Sequence, residues 1–403
     1  MTTPQIEAGT RVRQLAHTFA TRLEQLKAEY VGRDEAVAAI GLAALCREHV
    51  LLVGPPGTAK TALLTSFGRL LDTTPFTHLL TRFTEPTELF GPIDVKLFQE
   101  RSVYRVNTEG MLPRAHLAFL DEVFEGSSAI LNALLTLINE RIFYNGSVPE
   151  PSNLVTLLGS SNEVPDDPVL AAFSDRFLLR CQLDYVADDD VEDVLDIGWT
   201  AERAAIGATD NGQVPADRTR VRFALSDLAV LQRAVADVDL SAVRDTYAEI
   251  VRELRSQGVV FSDRRAVKAQ KTFAATALLA GRTTAELADL APLVHLWTDR
   301  RDEPAMRRVL GSHGVALADQ TRRLRDPAEI QLDLTDLRNR GRAVSKEENR
   351  ELIRLLDRLD KELRRDHPNA TTLRAEVRRT QREAILAFAE RFEEDAMDGF
   401  GNV

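Results

Sequence analysis

Five short apolar runs punctuate the first half of the chain: Val50–Val53, Phe76–Leu80, Leu117–Leu120, Leu154–Leu158 and Phe177–Leu183. Each is too short for a helix and reads as a strand; Val50–Val53, Leu117–Leu120 and Leu154–Leu158 are continuous enough to be buried on both faces, whereas Phe76–Leu80 and Phe177–Leu183 include polar residues. Helical periods fill the stretches between them. Strand and helix in alternation predict a parallel sheet covered on both sides. After Asp184 the strand pattern stops. Helical periods then run from Asp188 to about Val309, interrupted by the Gly- and Asp-containing stretch Gly207–Arg220, which reads as a loop. Further on, Ser345-Lys-Glu-Glu is a helix-capping signal, and Leu352, Leu355, Leu356, Leu359 and Leu363 share the face of the helix it opens. Asp366-His-Pro-Asn369 breaks that helix. Leu373, Val377, Ala384, Phe388 and Phe392 line a second one, so the pair is expected to pack as an antiparallel hairpin. Core packing is the default use of both stripes, and docking of a partner is the other.

Chemistry concentrates where the strands end. The run His49–Val53 leads directly into Gly54-Pro55-Pro56-Gly57-Thr58-Ala59-Lys60-Thr61, and a helical pattern starts there. Strand, glycine loop and helix together converge backbone N–H groups and a helix N-terminus on an anion. Lys60 is then expected to reach the β- and γ-phosphates of a nucleotide, and the Thr61 hydroxyl to hold Mg²⁺. Ala59 stands where the strict GxxxxGK[ST] pattern has glycine, and alanine suits that place with a negative φ, which is the expectation here.

About sixty residues on, the strand Leu117–Leu120 closes on Asp121 and Glu122. Paired acids at the carboxyl end of a strand beside a phosphate loop suit phosphoryl transfer, which asks a protein for charge placement more than for covalent chemistry. Asp121 is expected to organise the magnesium, and Glu122 to orient and deprotonate the attacking water. The fourth run ends in Gly159-Ser-Ser-Asn162. In isolation Asn162 reads as a turn residue. Following the two other motifs in this order, it reads as a polar sensor of the γ-phosphate and the water.

Three motifs in this order resemble the AAA+ superfamily of P-loop ATPases, and the text between them is similar to the MoxR branch, with wording nearest to its RavA-like subgroup. The stretches that carry the resemblance are Thr81–Pro92, Thr108–Pro113 and Asp121–Arg141, and it extends over roughly residues 20–310. It implies an α/β core with sheet order 5-1-4-3-2, an insertion in helix 2 over about Glu85–Gly110, a hairpin before the sensor strand, and a helical lid. Asn145-Gly146 inside Arg141–Val148 marks a tight hairpin turn on its own account. The resulting plan is 1–186 for the nucleotide-binding domain, 187–312 for the lid and 313–403 for a C-terminal helical hairpin or bundle.

The resemblance also implies residue roles. Arg176, in Phe173-Ser-Asp-Arg-Phe177, matches the arginine finger that reaches a neighbouring subunit's γ-phosphate; its other reading is an ion pair with Asp175. Arg264, in Phe261-Ser-Asp-Arg-Arg265, matches the lid's contact to nucleotide, with Arg265 as the alternative. Tyr30-Val31-Gly32-Arg33 resembles the segment lining the adenine pocket, with Val31 and Gly32 as the implied contacts. Implied with them are ATP and Mg²⁺ as cofactors, a homo-oligomeric ring, expected to be hexameric, and a chaperone-like action on a protein client. A partner with a von Willebrand factor A domain belongs to the same expectation.

Composition narrows the alternatives. Of 403 residues, 44% are apolar and 28% charged, which suits a folded protein of two or three domains. No apolar run approaches the length of a membrane span and the N-terminus lacks a signal-like apolar stretch, so a cytoplasmic protein is expected. Cys46 and Cys181 lack partners at metal-ligand spacing and read as buried thiols. A formal charge of −11 and an uncharged hairpin tip, Phe143–Ser147, argue against a nucleic-acid motor. A slow nucleotide-dependent scaffold would not need the full set Asp121, Glu122, Asn162 and Arg176.

Overall fold

In the computed structural model, residues 3–165, 167–187, 190–208, 222–317, 327–340 and 370–392 are described, with scattered positions between 349 and 367. The chain divides into two compact units, Met1–Leu317 and Ala318–Val403.

The first unit is built on a five-stranded parallel sheet of β1 (Val50–Val53), β2 (Phe76–Leu79), β3 (Leu117–Asp121), β6 (Thr156–Ser161) and β7 (Leu179–Gln182), in the spatial order β2-β3-β6-β1-β7. β1, β6 and most of β3 and β7 are buried on both faces, as continuous Val, Leu and Phe runs require. Register fixes the site. Val53 lies opposite Ser161 on one side and Gln182 on the other, and Leu79 lies opposite Asp121, so the carboxyl ends of these strands share one rim.

Helices α2 (Asp34–Cys46), α3 (Lys60–Leu70), α6 (Ser128–Glu140) and α7 (Pro168–Ser174) belong to this core. A further helix, α1 (Thr3–Glu29), precedes them and was not foreshadowed by any run above. Its buried face is narrow, Ala16, Phe19, Leu23 and Leu26, at alternating steps of three and four. Gly41 of α2 lets it approach closely, since a Cβ there would stand 2.6 Å from Leu23.

After β2 the insert carries two short helices, α4 (Pro86–Phe90) and α5 (Val95–Arg101), closed by an antiparallel bridge between Ile93 and Val106. It docks on the hairpin β4 (Ile142–Asn145) and β5 (Val148–Pro151), where Phe90 stacks on Phe143 with ring centroids 5.3 Å apart. The hairpin turn sits one residue later than expected. Asn145 pairs with Val148 and is buried, and Gly146 takes the positive φ of 66°. The Asn145 side chain is used elsewhere: its amide bonds the N–H and C=O of Val106 at 2.8 and 3.0 Å.

The remaining helices of the first unit are α8 (Val191–Ala208), α9 (Leu225–Val235), α10 (Arg244–Ser256), α11 (Asp263–Leu279), a 3₁₀ stretch at Leu287–His295 and α12 (Glu303–Ser312). Most of the predicted loop within Gly207–Arg220 lies outside the described residues. α11 begins at the amino end of the sheet, where Lys268 and Lys271 both hold the buried Glu48 carboxylate, at 2.6 and 2.7 Å.

In the second unit, Ile330, Leu334 and Leu337 of α13 (Pro327–Arg340) join Leu352, Leu356, Leu359 and Leu363, and Leu373, Val377 and Ala384 of α14 (Thr371–Phe392), in one core. A third helical segment thus completes what the sequence suggested as a hairpin. The capping Ser345, most of the Asp366–Asn369 break and the side chains of Phe388 and Phe392 lie outside the described residues.

Candidate functional site: a phosphate-binding loop facing two acids

The loop between β1 and α3 is shaped by close approaches. Gly54 takes φ 154°, and a Cβ on it would stand 2.0 Å from the Leu183 carbonyl, so no larger residue fits. Its N–H bonds the Ser161 carbonyl at 3.0 Å, tying the loop to the end of β6. The Thr58 hydroxyl donates to Pro55 O at 3.0 Å and closes the loop on itself. Ala59 is the correction: φ is 66°, left-handed, where a negative value was expected. The loop must turn at this point to bring Lys60 into the first helical turn, and alanine accepts a strain that glycine would not feel.

The first backbone bond of α3 runs from Leu63 N–H to Ala59 O. The N–H groups of Lys60, Thr61 and Ala62 therefore have no acceptor within the helix. They border a cavity of about 380 Å³ whose one wall is residues 56, 57 and 59–62 and whose other is Asp121, Glu122 and Asn162. Lys60 is nearly buried, and its ammonium donates to a neutral acceptor, Gly54 O, at 2.7 Å.

Across the cavity, Asp121 Oδ1 accepts from the Ser160 hydroxyl and from the Glu122 N–H at 3.2 Å. Glu122 also has a left-handed backbone, φ 49°, and its Oε1 accepts from Asn162 Nδ2 at 2.9 Å. Burial first, and the Asp121 carboxylate second, hold Glu122 above the usual carboxylate range; Lys60 and the Asn162 amide pull the other way. Free N–H groups and an ammonium on one side, and a carboxylate raised toward proton-accepting strength on the other, fit a phosphate chain beside a water to be activated. The hydroxyl and carboxylate oxygens of Thr61 and Asp121 suit a hard cation. Among the described residues no group of three or more His, Cys, Asp or Glu could hold a metal by itself.

Val31 and Gly32 lie beside this loop. Arg33 donates to Gly32 O, Thr58 O and Asp184 O at 2.9, 3.2 and 2.9 Å, and Tyr30 OH bonds Ala62 O and Ser66 Oγ at 2.9 and 2.8 Å. The segment, the loop and the exit of β7 are thereby tied together. By sequence, Tyr30 and Arg33 belong to this segment with no role given to their side chains, and Ser160 is not singled out. Only the Ser-Ser-Asn run hinted at Ser160, and nothing local marks Arg33, whose acceptors are backbone groups up to 151 residues away.

A family model for the MoxR domain of MoxR-vWA-beta-propeller ternary systems matches residues 17–218, and a model of the AAA lid domain matches residues 240–310. The chain belongs to the MoxR family of AAA+ ATPases. An uncharacterized protein of Methanocaldococcus jannaschii is 30% identical over 93% of this MoxR-family chain and 92% of its own length. The chaperone MoxR1 of Mycobacterium tuberculosis is 26% identical over 44% of this chain and 48% of its own. In fold, the chain is similar to the crystal structure of a "putative ATPase" from Cytophaga hutchinsonii, with TM-score 0.59 and 17% identity over 77% of this chain and 96% of that one.

Two arginines of this MoxR-family chain lie away from its own cavity. Arg176, in the turn after α7, pairs with Asp175 at 3.6 Å, so the ion pair weighed as its other reading is present. Arg264 donates to Asn139 Oδ1 at 2.6 Å. Asn139 is near the end of α6, next to Ile138, whose carbonyl is bonded by His49 just before β1. That is the opposite end of the sheet from the phosphate loop, roughly 13 Å along β1 at the usual strand rise. Arg264 therefore sits at the base of the sheet, where Lys268 and Lys271 tie α11 to Glu48. Arg265 is buried and bonds Leu178 O, Leu296 O and Asp175.

Proposed function

We propose that this MoxR-family ATPase binds Mg-ATP in the cavity and hydrolyses it, and that the cycle remodels or matures a protein client. The observation that carries the reading is the meeting, in one cavity, of the Lys60–Ala62 helix terminus with the Glu122–Asn162 pair. Lys60 and the loop N–H groups would hold the phosphates, and Glu122, oriented by Asn162, would take a proton from water. Thr61 and Asp121 would hold magnesium, which neutralises phosphate charge when bound.

The proposed assembly is a cytoplasmic ring, taken as a hexamer, in which Arg176 serves a neighbour. Its place outside its own cavity supports that use, and a guanidinium at a transferring phosphoryl group contributes about 10³–10⁵ in rate in other nucleotide hydrolases. A von Willebrand factor A protein is the proposed partner, supported by the systems for which the matching family model is described. The finer placement in a RavA-like subgroup rests on the wording of the sequence alone. Nucleic acid is not proposed as the substrate, since the hairpin tip, Gly146-Ser147, carries no charge.

Lys60→Ala and Glu122→Gln separate the two halves of the reading. The first is expected to lose ATP binding, and the second to bind ATP and fail to cleave it. A fluorescent ATP analogue titration run beside phosphate release checks both, and normal turnover by Glu122→Gln removes that residue from the water-activating role.

A further inference from the structure

We propose that Asp175 and the lid residue Arg265 are the mount of the Arg176 guanidinium: Arg265 fixes Asp175, and Asp175 aims Arg176. The proposal rests on the reading of Arg176 as the cation that serves a neighbouring cavity.

The turn that bears Arg176 is closed by its own backbone, with Asp175 N–H on Ala171 O at 2.9 Å, Arg176 N–H on Phe173 O at 3.0 Å and Phe177 N–H on Ser174 O at 3.1 Å. Backbone closure does not fix a long side chain. For that, the turn carries one carboxylate between two guanidiniums: Asp175 Oδ1 accepts from Arg265 Nη2 at 3.0 Å, and Asp175 Oδ2 faces Arg176 Nη1 at 3.6 Å. Arg265 has almost no freedom. It is 2% exposed, and its Nη1 donates to Leu178 O and Leu296 O at 2.9 and 3.1 Å.

A carboxylate that serves a single guanidinium is frequently forked onto it with both oxygens. This chain contains such a fork: Asp289 takes Arg282 with one oxygen on each terminal nitrogen, both at 2.7 Å, while the same carboxylate also accepts the Glu286 N–H at 2.8 Å. Asp175 divides its oxygens instead, one to the lid and one to Arg176. The same turn is held a second time by the fully buried Arg180, which lies over Trp297. Its Nη2 donates to Ser174 O at 2.8 Å, and its Nη1 to Thr298 O. The position of Arg176 is thus set by lid residues 296–298 and by α11 rather than by the core alone.

Asp175 and Arg265 are positioning residues, and the test follows from that. Steady-state ATP hydrolysis is measured on full-length Arg176→Ala, Asp175→Asn and the double variant. Asp175→Asn is expected to lower kcat by about ten- to a hundred-fold, the scale of a roughly 1 Å misplacement, with KM for ATP within about two-fold. The double variant is expected to fall to the level of Arg176→Ala and no further, because Asp175 acts only through Arg176. Additive losses in the double variant, or full kcat in Asp175→Asn beside a defective Arg176→Ala, overturn the mount and leave the Arg176 reading standing. Full kcat in Arg176→Ala overturns both. Should Asp175→Asn fail to fold, Arg265→Lys, which keeps the buried charge and loses the fork, is put through the same cycle with the same expectations.

Discussion

Ala59 and Glu122 face each other across the cavity and both hold left-handed backbone, a conformation that costs a residue with a Cβ about 1–2 kcal/mol. At Glu122 the strain has a return, because that conformation sets the carboxylate against Asn162. At Ala59 the side chain is a methyl group with no such task. Ala59→Gly is therefore expected to stabilise the protein by about 1 kcal/mol, somewhat less than the relief of strain because glycine loses more freedom on folding. A urea titration reads this as a higher midpoint at unchanged slope. A lower midpoint shows that the methyl group supports the loop. Adjacent residues can also differ completely, as Arg264 and Arg265 do: one reaches Asn139 at the surface of α6, and the other disappears between β7 and the lid. Sequence could not separate them, since the difference depends on carbonyls and a carboxylate that lie 31 to 90 positions away.

Among the elements, β1, β3 and β6 were legible because burial on both faces leaves a nearly unbroken apolar run, and the loop and acids because their chemistry is local. β2, half exposed along Phe76–Leu79, was legible only by its place between helical patterns. α1 was not legible. Among its residues of described burial only Ala16, Phe19, Leu23 and Leu26 are buried, and that stripe means nothing until α2 supplies Gly41 as a seat. Asn145 shows the same limit at a turn. The dipeptide Asn-Gly predicts a hairpin correctly but assigns Asn145 to the tip, whereas its amide replaces a missing strand neighbour for Val106 of the insert. Asn145→Ala strips both Val106 groups of partners, at about 1–3 kcal/mol each for groups left unpaired where they are buried. Partial exposure of Val106 places the cost at the lower end of that range. The insert is expected to loosen from the hairpin, and trypsin to cut at Lys96, Arg101 or Arg105 several-fold faster than in the parent. ATP binding at the loop is expected to stay within about two-fold, as neither element borders the cavity. Unchanged cleavage rates would show that Phe90 and Phe143 alone secure the insert.

At the scale of the whole molecule, ATP can favour a partner only through different affinities for the nucleotide-held and empty states. Glu122→Gln, expected to hold ATP, is therefore predicted to capture a von Willebrand factor A protein from native lysate more strongly than Lys60→Ala. Nuclease treatment is expected to leave the capture intact. Equal recovery by both variants, or a complex that nuclease dissolves, counts against the proposed partner. The separation of Arg176 from its own protomer's cavity has a genetic consequence under the proposed ring. A copy lacking Arg176 disables the site next door, and a copy lacking Glu122 disables only its own. Expressed beside the normal allele, either broken allele should therefore remove about one site for each copy it contributes, while the two broken alleles expressed together should partly complement each other.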